Sequence, residues 1–232
     1  MNELAYDIEV PGGVLACREA GRGASVVLIH GAAQNLHVWE PIAARLAGSA
    51  RVIRYDLRGH GQSAPLREPS FAIHTEDLDR LLASRGLVDP TVVGFSLGGY
   101  IGLRWAAAAT GGRFVSVEGP LASYAELSRR LGRVADFAAL RAEFEAEAFL
   151  GTAADAEGCI AHTAALDGVP GEWVRRSFRR RTDGKVELRP TVEERMCHQA
   201  GLWAEDSVAH YRSVRIPVTL VVGTRALLRF RG

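Results

Sequence analysis

The sequence lacks most of the features that would assign it to a specialised class of protein. Its 232 residues include three cysteines, and 28 basic side chains nearly balance 27 acidic ones, which leaves a formal net charge of +1. Cys17, Cys159 and Cys197 are odd in number and far apart, so they predict reduced thiols in a cytoplasmic protein rather than a disulfide framework. The near-zero charge provides no field that would attract nucleic acid or a membrane surface.

Long apolar runs are also absent. None approaches the length of a membrane span, and the longest have the size of a strand. The first ten residues, MNELAYDIEV, carry acids early and no basic segment followed by an apolar one, so they predict no secretory signal. What remains is an ordinary globular composition, 47% hydrophobic and 24% charged, with enough residues for one sizeable core.

The order of apolar runs predicts an α/β protein. Strand-like and helical patterns alternate over the first half, which is typical of a mostly parallel sheet with helices on both faces. Residues 119–200 are rich in Ala, Arg and Glu at helical spacing and predict a helical cap, so the core is expected in 1–118 and 201–232. The predicted elements are a hairpin around 11–13, strands at 25–30, 51–55, 91–95, 113–118 and 217–223, and helices at 37–47, at 74–85 and after 97.

A serine between glycines follows the strand at 91–95. The segment from Gly94 to Gly98 reads G-F-S-L-G and fits G-x-S-x-G, with a strand before it and a helix after it, as that motif requires. A sharp turn there lifts the Ser96 hydroxyl clear of the sheet, and the glycines leave room for the neighbouring backbone. The pattern predicts a nucleophile at Ser96; the alternative is a glycine-rich turn with an incidental serine.

A second turn supports the same chemistry. His30-Gly31-Ala32-Ala33 ends the strand at 25–30, where a tight turn can aim the Ala32 N–H toward the serine. Together with the Leu97 N–H at the start of the next helix, it predicts a two-donor oxyanion hole. His30 itself is predicted to stabilise the turn.

Two other patterns are better explained without a cofactor or metal. Residues 59–64 fit G-x-G-x-x-A with Asp79 downstream, but Pro65 and Pro69 leave no helix N-terminus for a pyrophosphate. The pairs Cys159/His162 and Cys197/His198 lack further ligands, so packing is the more common role for them. Neither pattern therefore predicts a cofactor or metal site.

Four stretches resemble the α/β-hydrolases, in their single-domain form with a helical cap. They are HGAAQNLHVWEPIAARLA, YDLRGHGQSAP, GFSLGGYIGLRWAA and IPVTLVVG, in the family's order, and the resemblance covers about residues 8–223. It implies a Ser–His–acid triad, no metal or cofactor, and hydrolysis of an ester, thioester, amide or activated C–C bond. Serine at the sharp turn between strand and helix, rather than aspartate, argues against the dehalogenase and epoxide-hydrolase branches of the family. The implied partner is a small acyl substrate, without nucleic acid or membrane, and a homo-oligomer stays open.

The other triad members are harder to find. The resemblance implies an aspartate in G-x-x-D after the last predicted strand, but Gly223-Thr224-Arg225-Ala226 carries alanine there. Glu118 is the substitute, because some members of the family place the acid after the equivalent strand; the alternative is a carboxylate that caps the turn at Gly119-Pro120. No histidine follows His210, and His198 and His210 are predicted in packing or surface positions.

Two functions therefore stay open. One is a carboxylesterase-like serine hydrolase that acts on an acyl substrate through an acyl-enzyme. The other is a catalytically incomplete or binding-only protein without the triad histidine. The family pattern leads us to expect that a final strand, loop and helix of roughly 30 residues are missing from a chain that stops at Gly232.

The predicted cap carries five arginines within residues 175–181. They are consistent with a clamp for a substrate carboxylate or phosphate, but a solvated helix face or loop is the more usual reading of such a run. A cap usually closes an apolar pocket, to which Trp173, Phe178, Leu202 and Trp203 are candidates.

Overall fold

The computed structural model describes residues 3–120, 122–130 and 136–223 and confirms the predicted α/β architecture. The first two strands form the expected antiparallel hairpin, the second strand pairs antiparallel with the fourth, and the remaining pairs are parallel. The strands are β1 (Glu3–Val10), β2 (Gly13–Ala20), β3 (Ala24–Ile29), β4 (Ala50–Tyr55), β5 (Thr91–Phe95) and β6 (Arg113–Val117). Their spatial order in the sheet is β1-β2-β4-β3-β5-β6.

Three helices of this region flank the sheet: α1 (Glu40–Leu46), α2 (Ala72–Ser84) and α3 (Leu97–Ala108). The predicted helix at 37–47 is divided, because a 3₁₀ turn at Leu36–Trp39 precedes α1. Helix α3 lies close against the sheet through its small residues. A Cβ added at Gly102 would stand 2.3 Å from the Phe114 ring on β6, so only glycine permits this approach.

The segment predicted to be a helical cap, which we call the insertion, is helical but also contains a small antiparallel sheet. Its own cluster of buried residues includes Ile160, Phe178 and Val186. Its last helix, α8, continues past the predicted boundary at residue 200. The elements are α4 (Tyr124–Arg130), α5 (Phe137–Ala146), β7 (Leu150–Gly151), α6 (Ala153–Asp167), α7 (Gly171–Arg175), β8 (Phe178–Arg180), β9 (Val186–Leu188) and α8 (Val192–Ala204), with sheet order β7-β9-β8.

After the insertion the chain returns to the main sheet. Helix α9 (Ser207–Ser213) leads into β10 (Val218–Val221), which pairs parallel with β6. Ala226, which stands where the family pattern has its aspartate, and the other residues after Gly223 lie outside the described residues. No helix in the described ranges is both long and apolar enough to cross a membrane.

Candidate functional site

Ser96 occupies a strained turn between β5 and α3. Its backbone has φ +49° and ψ −112°, a region that a residue with a side chain rarely adopts. The Ser96 N–H donates to the Val117 carbonyl at 3.0 Å, and the Ser96 carbonyl accepts the Gly99 N–H at 2.8 Å. Hydrogen bonds from both sides therefore hold the backbone in this conformation.

The glycines of the motif are required by close backbone contacts. A Cβ at Gly94 would lie 2.2 Å from the Gly98 carbonyl oxygen, and one at Gly98 would lie 2.4 Å from the Ile29 carbonyl oxygen. Real Cβ atoms do not come this close to backbone atoms, so α3 can begin directly against β3 and β5 only with glycine at both positions.

The turn at residues 31–36 leaves the sheet beside Ser96. In the parallel ladder Ile29 lies opposite Gly94, so the chains that follow β3 and β5 emerge at the same edge. The Gly31 N–H donates to Gln34 Oε1 at 3.0 Å, and Ala33 has φ +56°. These two features give the 31–36 turn its tight shape.

The two predicted oxyanion donors have no competing acceptor among the described residues. In the described part of the chain, neither the Ala32 N–H nor the Leu97 N–H forms a hydrogen bond. Ala32 is exposed and Leu97 is the first residue of α3. Free N–H groups at a helix start and in an adjacent turn are suited to binding a negatively charged oxygen.

His30 stabilises the base of this turn, as predicted from the sequence. Its ring is fully buried, Nδ1–H donates to the Gly31 carbonyl at 2.8 Å, and Nε2 accepts the Leu57 N–H at 2.9 Å. Because both ring nitrogens are engaged, the imidazole is neutral with its proton on Nδ1. Burial lowers its pKa from the ordinary value of 6.5.

Glu118 directly follows β6, next to Ser96. Phe95 and Val117 are partners in the ladder, so the residues after them, Ser96 and Glu118, emerge side by side. The Glu118 side chain is exposed, and its Oε1 accepts the Gly223 N–H at 2.6 Å. The carboxylate thus caps the end of β10 rather than the Gly119-Pro120 turn, and it lies at the sheet edge that carries the serine.

Among the described residues, no histidine is hydrogen-bonded to the serine. All seven histidines of the sequence lie in the described ranges, and none forms a hydrogen bond with Ser96 there. His37 pairs with Glu40 at 2.6 Å, and His162 is exposed on α6. His210 pairs with Glu205, which also accepts Arg104 at 2.9 Å. Arg104 lies eight positions after Ser96 on α3, about 12 Å along the helix.

The remaining three histidines form a buried cluster with His30. Ring centroids are 5.0 Å apart for His30 and His60, 4.7 Å for His60 and His198, and 5.1 Å for His74 and His198. Burial lowers the pKa of each ring, to about 3 for His198. Nε2 of His60, Nε2 of His198 and both ring nitrogens of His74 are buried without a hydrogen-bond partner in the described residues. Burial therefore favours the uncharged form of all four rings.

A cavity of about 320 Å³ separates the 31–36 turn from the insertion. The predicted apolar residues Trp173 and Phe178 line it, whereas Leu202 belongs to the main core and Trp203 packs on Tyr124. Ser96 is not among the lining residues. These are Ala33, Gln34, Asn35, Val38, Glu147, Cys159, Thr163, Asp167, Val169, Trp173, Val174, Ser177, Phe178, Leu188, Arg189, Pro190 and Arg195.

No metal centre is present in the described ranges, where no three His, Cys, Asp or Glu side chains could share an ion. Residues 59–64 lie in a loop after β4, and Asp79 lies inside α2. Cys159 and Cys197 are free thiols.

The sequence did not identify Asp56 as a site residue. Its side chain is fully buried at the end of β4 and is bonded to three different segments of the chain. An aspartate directly after a buried strand was the available signal, but nothing in its neighbourhood reveals that its cation, Arg176, comes from the insertion.

The comparisons with known proteins agree with the α/β fold. The family model described as alpha/beta hydrolase fold matches residues 24–137. The chain is 34% identical to an esterase of Mycobacterium tuberculosis over 100 residues, which are 42% of this chain and 33% of that protein. It is 34% identical to a fluoroacetate dehalogenase of a Burkholderia species over 105 residues, 43% of this chain and 34% of that one.

Among solved structures, E-2-(acetamidomethylene)succinate hydrolase superimposes with a TM-score of 0.74 at 24% identity, and the match covers 98% of this chain and 86% of that one. This likeness extends the shared fold over the insertion. The chain spans about a third or less of the length of the curated relatives that it matches. The strand order, the serine turn and the matched model together show that the chain has the α/β-hydrolase fold.

Proposed function

We propose that the chain is a serine-dependent hydrolase of an ester, a thioester or a similar acyl compound. The Ser96 oxygen bonds to the carbonyl carbon while the alcohol or thiol departs with a proton, and water then releases the acid and restores the serine. The Ala32 and Leu97 N–H groups bind the oxygen that becomes negative, and Glu118 is the acid partner. The observation that carries this proposal is the strained Ser96 backbone beside two N–H groups that have no acceptor in the described part of the chain.

The cavity between the 31–36 turn and the insertion supports a substrate with an apolar group. Its lining is mostly apolar, and the charged Arg195 and Arg189 in it already pair with Glu147 and Glu194. A mostly apolar lining favours a ligand whose bound portion is apolar. The esterase relative supports the same substrate class.

A second function is favoured by the histidines. A serine hydroxyl needs a base to accept its proton, and each of the seven histidines is buried, paired with a carboxylate or exposed on α6. On this reading the described chain binds an acyl compound but does not turn it over, because it contains no proton acceptor for Ser96.

Turnover of a short p-nitrophenyl ester tests both readings, with Ser96→Ala as the matched control. Each protein is assayed alone and with added imidazole, which can accept the serine proton from solution. Turnover by the unmodified chain that Ser96→Ala abolishes supports the hydrolase. Serine-dependent turnover that needs imidazole supports the incomplete protein. Equal rates for both proteins under both conditions would reject a nucleophilic Ser96.

A further inference from the structure

One short segment of the insertion makes several polar bonds to the core, in addition to the bonds that Arg189 and Glu194 make with residues 63–66. Asn35 Nδ2 donates to the Trp173 carbonyl at 2.8 Å and to Ser177 Oγ at 2.9 Å. Gln62 Nε2 donates to the Arg176 carbonyl at 2.8 Å. Residues 173–177 are thus bonded to the 31–36 turn and to the loop after β4.

The third link is an ion pair. Arg176 Nε donates to Asp56 Oδ2 at 2.8 Å, and the Asp56 side chain is 0% exposed while that of Arg176 is 10% exposed. A buried carboxylate needs a countercharge, and here the countercharge comes from the insertion. The run of arginines predicted to be solvated therefore contains one that is largely shielded from solvent, whereas its neighbour Arg175 pairs with Glu157 on the surface of the insertion.

The same carboxylate holds the 31–36 turn. Asp56 Oδ1 accepts the Leu36 N–H at 2.9 Å, and Oδ2 also accepts the Gln62 N–H at 2.9 Å. A Cβ at Gly61 would lie 2.2 Å from Oδ2, so this glycine lets the loop close over the carboxylate. One side chain thereby joins the end of the turn, the loop after β4 and the insertion.

The position of the Ala32 N–H depends on both ends of its turn. His30 fixes the first end and the Leu36–Asp56 bond fixes the second, while Ala32 between them has no hydrogen bond of its own in the described residues. Because Asp56 is shared with Arg176, a shift of the insertion changes the anchor of the turn.

We propose that Arg176 is a positioning residue, through which the insertion sets the oxyanion-binding geometry of the 31–36 turn by way of Asp56. The catalytic meaning of this link rests on the function proposed above, but the link itself is a property of the folded chain. Arg176 acts through Asp56 and does not contact substrate, which separates this role from that of a carboxylate clamp.

Hydrogen exchange of the backbone amides, read by mass spectrometry, tests the link without any need for turnover. Peptides covering 31–37 are compared in the unmodified protein, Arg176→Gln and Arg175→Gln. The two arginines are adjacent, and only one reaches the core, so Arg175→Gln is the matched control. We expect exchange in this region to rise about tenfold or more in Arg176→Gln and to stay within about twofold in the control.

Equal exchange in the two variants would overturn the proposal. Arg176→Lys provides a second test if the glutamine variant does not fold. Lysine keeps the charge but not the guanidinium geometry. An exchange rate in Arg176→Lys that is faster than in the unmodified protein, but raised less than tenfold, supports the link. Unchanged exchange in Arg176→Lys, with Arg176→Gln unfolded, would also overturn it, because charge burial alone would explain both results.

Two further measurements separate this proposal from the proposed function. Labelling of Ser96 by a fluorophosphonate in the unmodified protein reports the nucleophile, whatever the exchange result. With turnover, Arg176→Gln should lower kcat about tenfold and leave KM within about twofold, since the turn binds the transition state. A rise in KM alone would instead support a substrate clamp and contradict the positioning role.

Discussion

The Ser96 N–H donates to the carbonyl of Val117, the residue that precedes Glu118. This 3.0 Å bond ties the serine turn to the end of β6, and Glu118 in turn accepts the N–H of Gly223 after β10. The nucleophile and the acid proposed for it are therefore linked through hydrogen bonds that join three neighbouring strands. The conformation of Ser96 is held by this connection and not by a local preference of serine.

The first prediction concerns the strain at Ser96. Ser96→Gly should raise the free energy of unfolding by about 1 kcal/mol, because glycine adopts φ +49° without the steric cost of a Cβ. Urea unfolding measures the change. The control is Ser84→Gly at the end of α2, where glycine should destabilise the helix by several tenths of a kcal/mol. A loss of stability in Ser96→Gly would show that the turn is not strained.

The second prediction concerns the glycine after the serine. Gly98→Ala should lower the free energy of unfolding by roughly 3 kcal/mol, since the new Cβ would meet the Ile29 carbonyl oxygen at 2.4 Å. Gly158 offers the opposite case, because it lies inside α6 with no atom within 4 Å of an added Cβ. Gly158→Ala should therefore stabilise the protein by about 1 kcal/mol. Similar effects of the two substitutions in thermal unfolding would contradict the close approach of α3.

The third prediction is a loss of stability in mild acid. The pKa of His30, His60, His74 and His198 is lowered in the folded protein, chiefly by burial, from an ordinary value of 6.5. The unfolded chain therefore binds more protons below pH 6.5, and stability is complete above that pH and falls as the pH drops toward the folded pKa values. Each ring contributes up to about 1.4 kcal/mol per pH unit to the change of the unfolding free energy with pH.

Charged groups around the cluster change how steeply stability depends on pH, but they do not reverse the direction of that dependence. Asp56 raises the pKa of His30 and Arg176 lowers it, Arg58 lowers that of His74, and Arg189 lowers that of His198. Glu194 also packs here and is already paired with Arg189. Burial is the largest influence on each ring, so the direction of the prediction follows from burial.

His74→Phe isolates one ring of the cluster. Neither ring nitrogen of His74 has a hydrogen-bond partner in the described residues, and its neighbour Phe71 already packs edge-on against it. We expect the slope of unfolding free energy between pH 6 and 5 to decrease by about 1.4 kcal/mol per pH unit. His162→Ala, at an exposed position, should leave the slope unchanged. Equal slopes in all three proteins would show that the cluster does not control acid stability.

The fourth prediction compares a buried ion pair with an exposed one. Arg58 donates two hydrogen bonds to Asp77, at 2.8 and 2.9 Å, with side chains only 3% and 2% exposed. Asp77→Asn should cost roughly 3 kcal/mol of stability, because it leaves a buried guanidinium without its counterion. Glu157→Gln breaks the exposed pair with Arg175 and should cost less than about 0.5 kcal/mol. Chemical denaturation of both variants gives the comparison.

The sequence predicted the local features of the site and missed the long-range ones. Gly94, Ser96 and Gly98 could be interpreted because the conformational demands of the turn fall on five consecutive residues between a strand and a helix. The strands β7, β8 and β9 escaped notice, since two or three residues are too few to show an alternating pattern.

The pairing of Asp56 with Arg176 could not be predicted either, because 120 residues separate them. A run of arginines is usually solvated, and the composition of 175–181 does not indicate which member is turned into the protein. The location of the His198 ring could not be predicted from the sequence either. The segment around it is helical, but only the packed structure shows that the ring lies against His60 and His74. Burial of a polar side chain is decided by partners from distant segments, which local patterns do not contain.

The placement of the three thiols has a practical consequence for solution work. Cys17 lies fully inside β2 with a pKa raised by burial, and the pKa of Cys197 is raised as well, so both are slow to form the thiolate that reacts with alkylating reagents. Cys159 lines the cavity beside the insertion. A maleimide dye would therefore attach first to Cys159. The fluorescence of the attached dye would then report the entry of a molecule into the cavity.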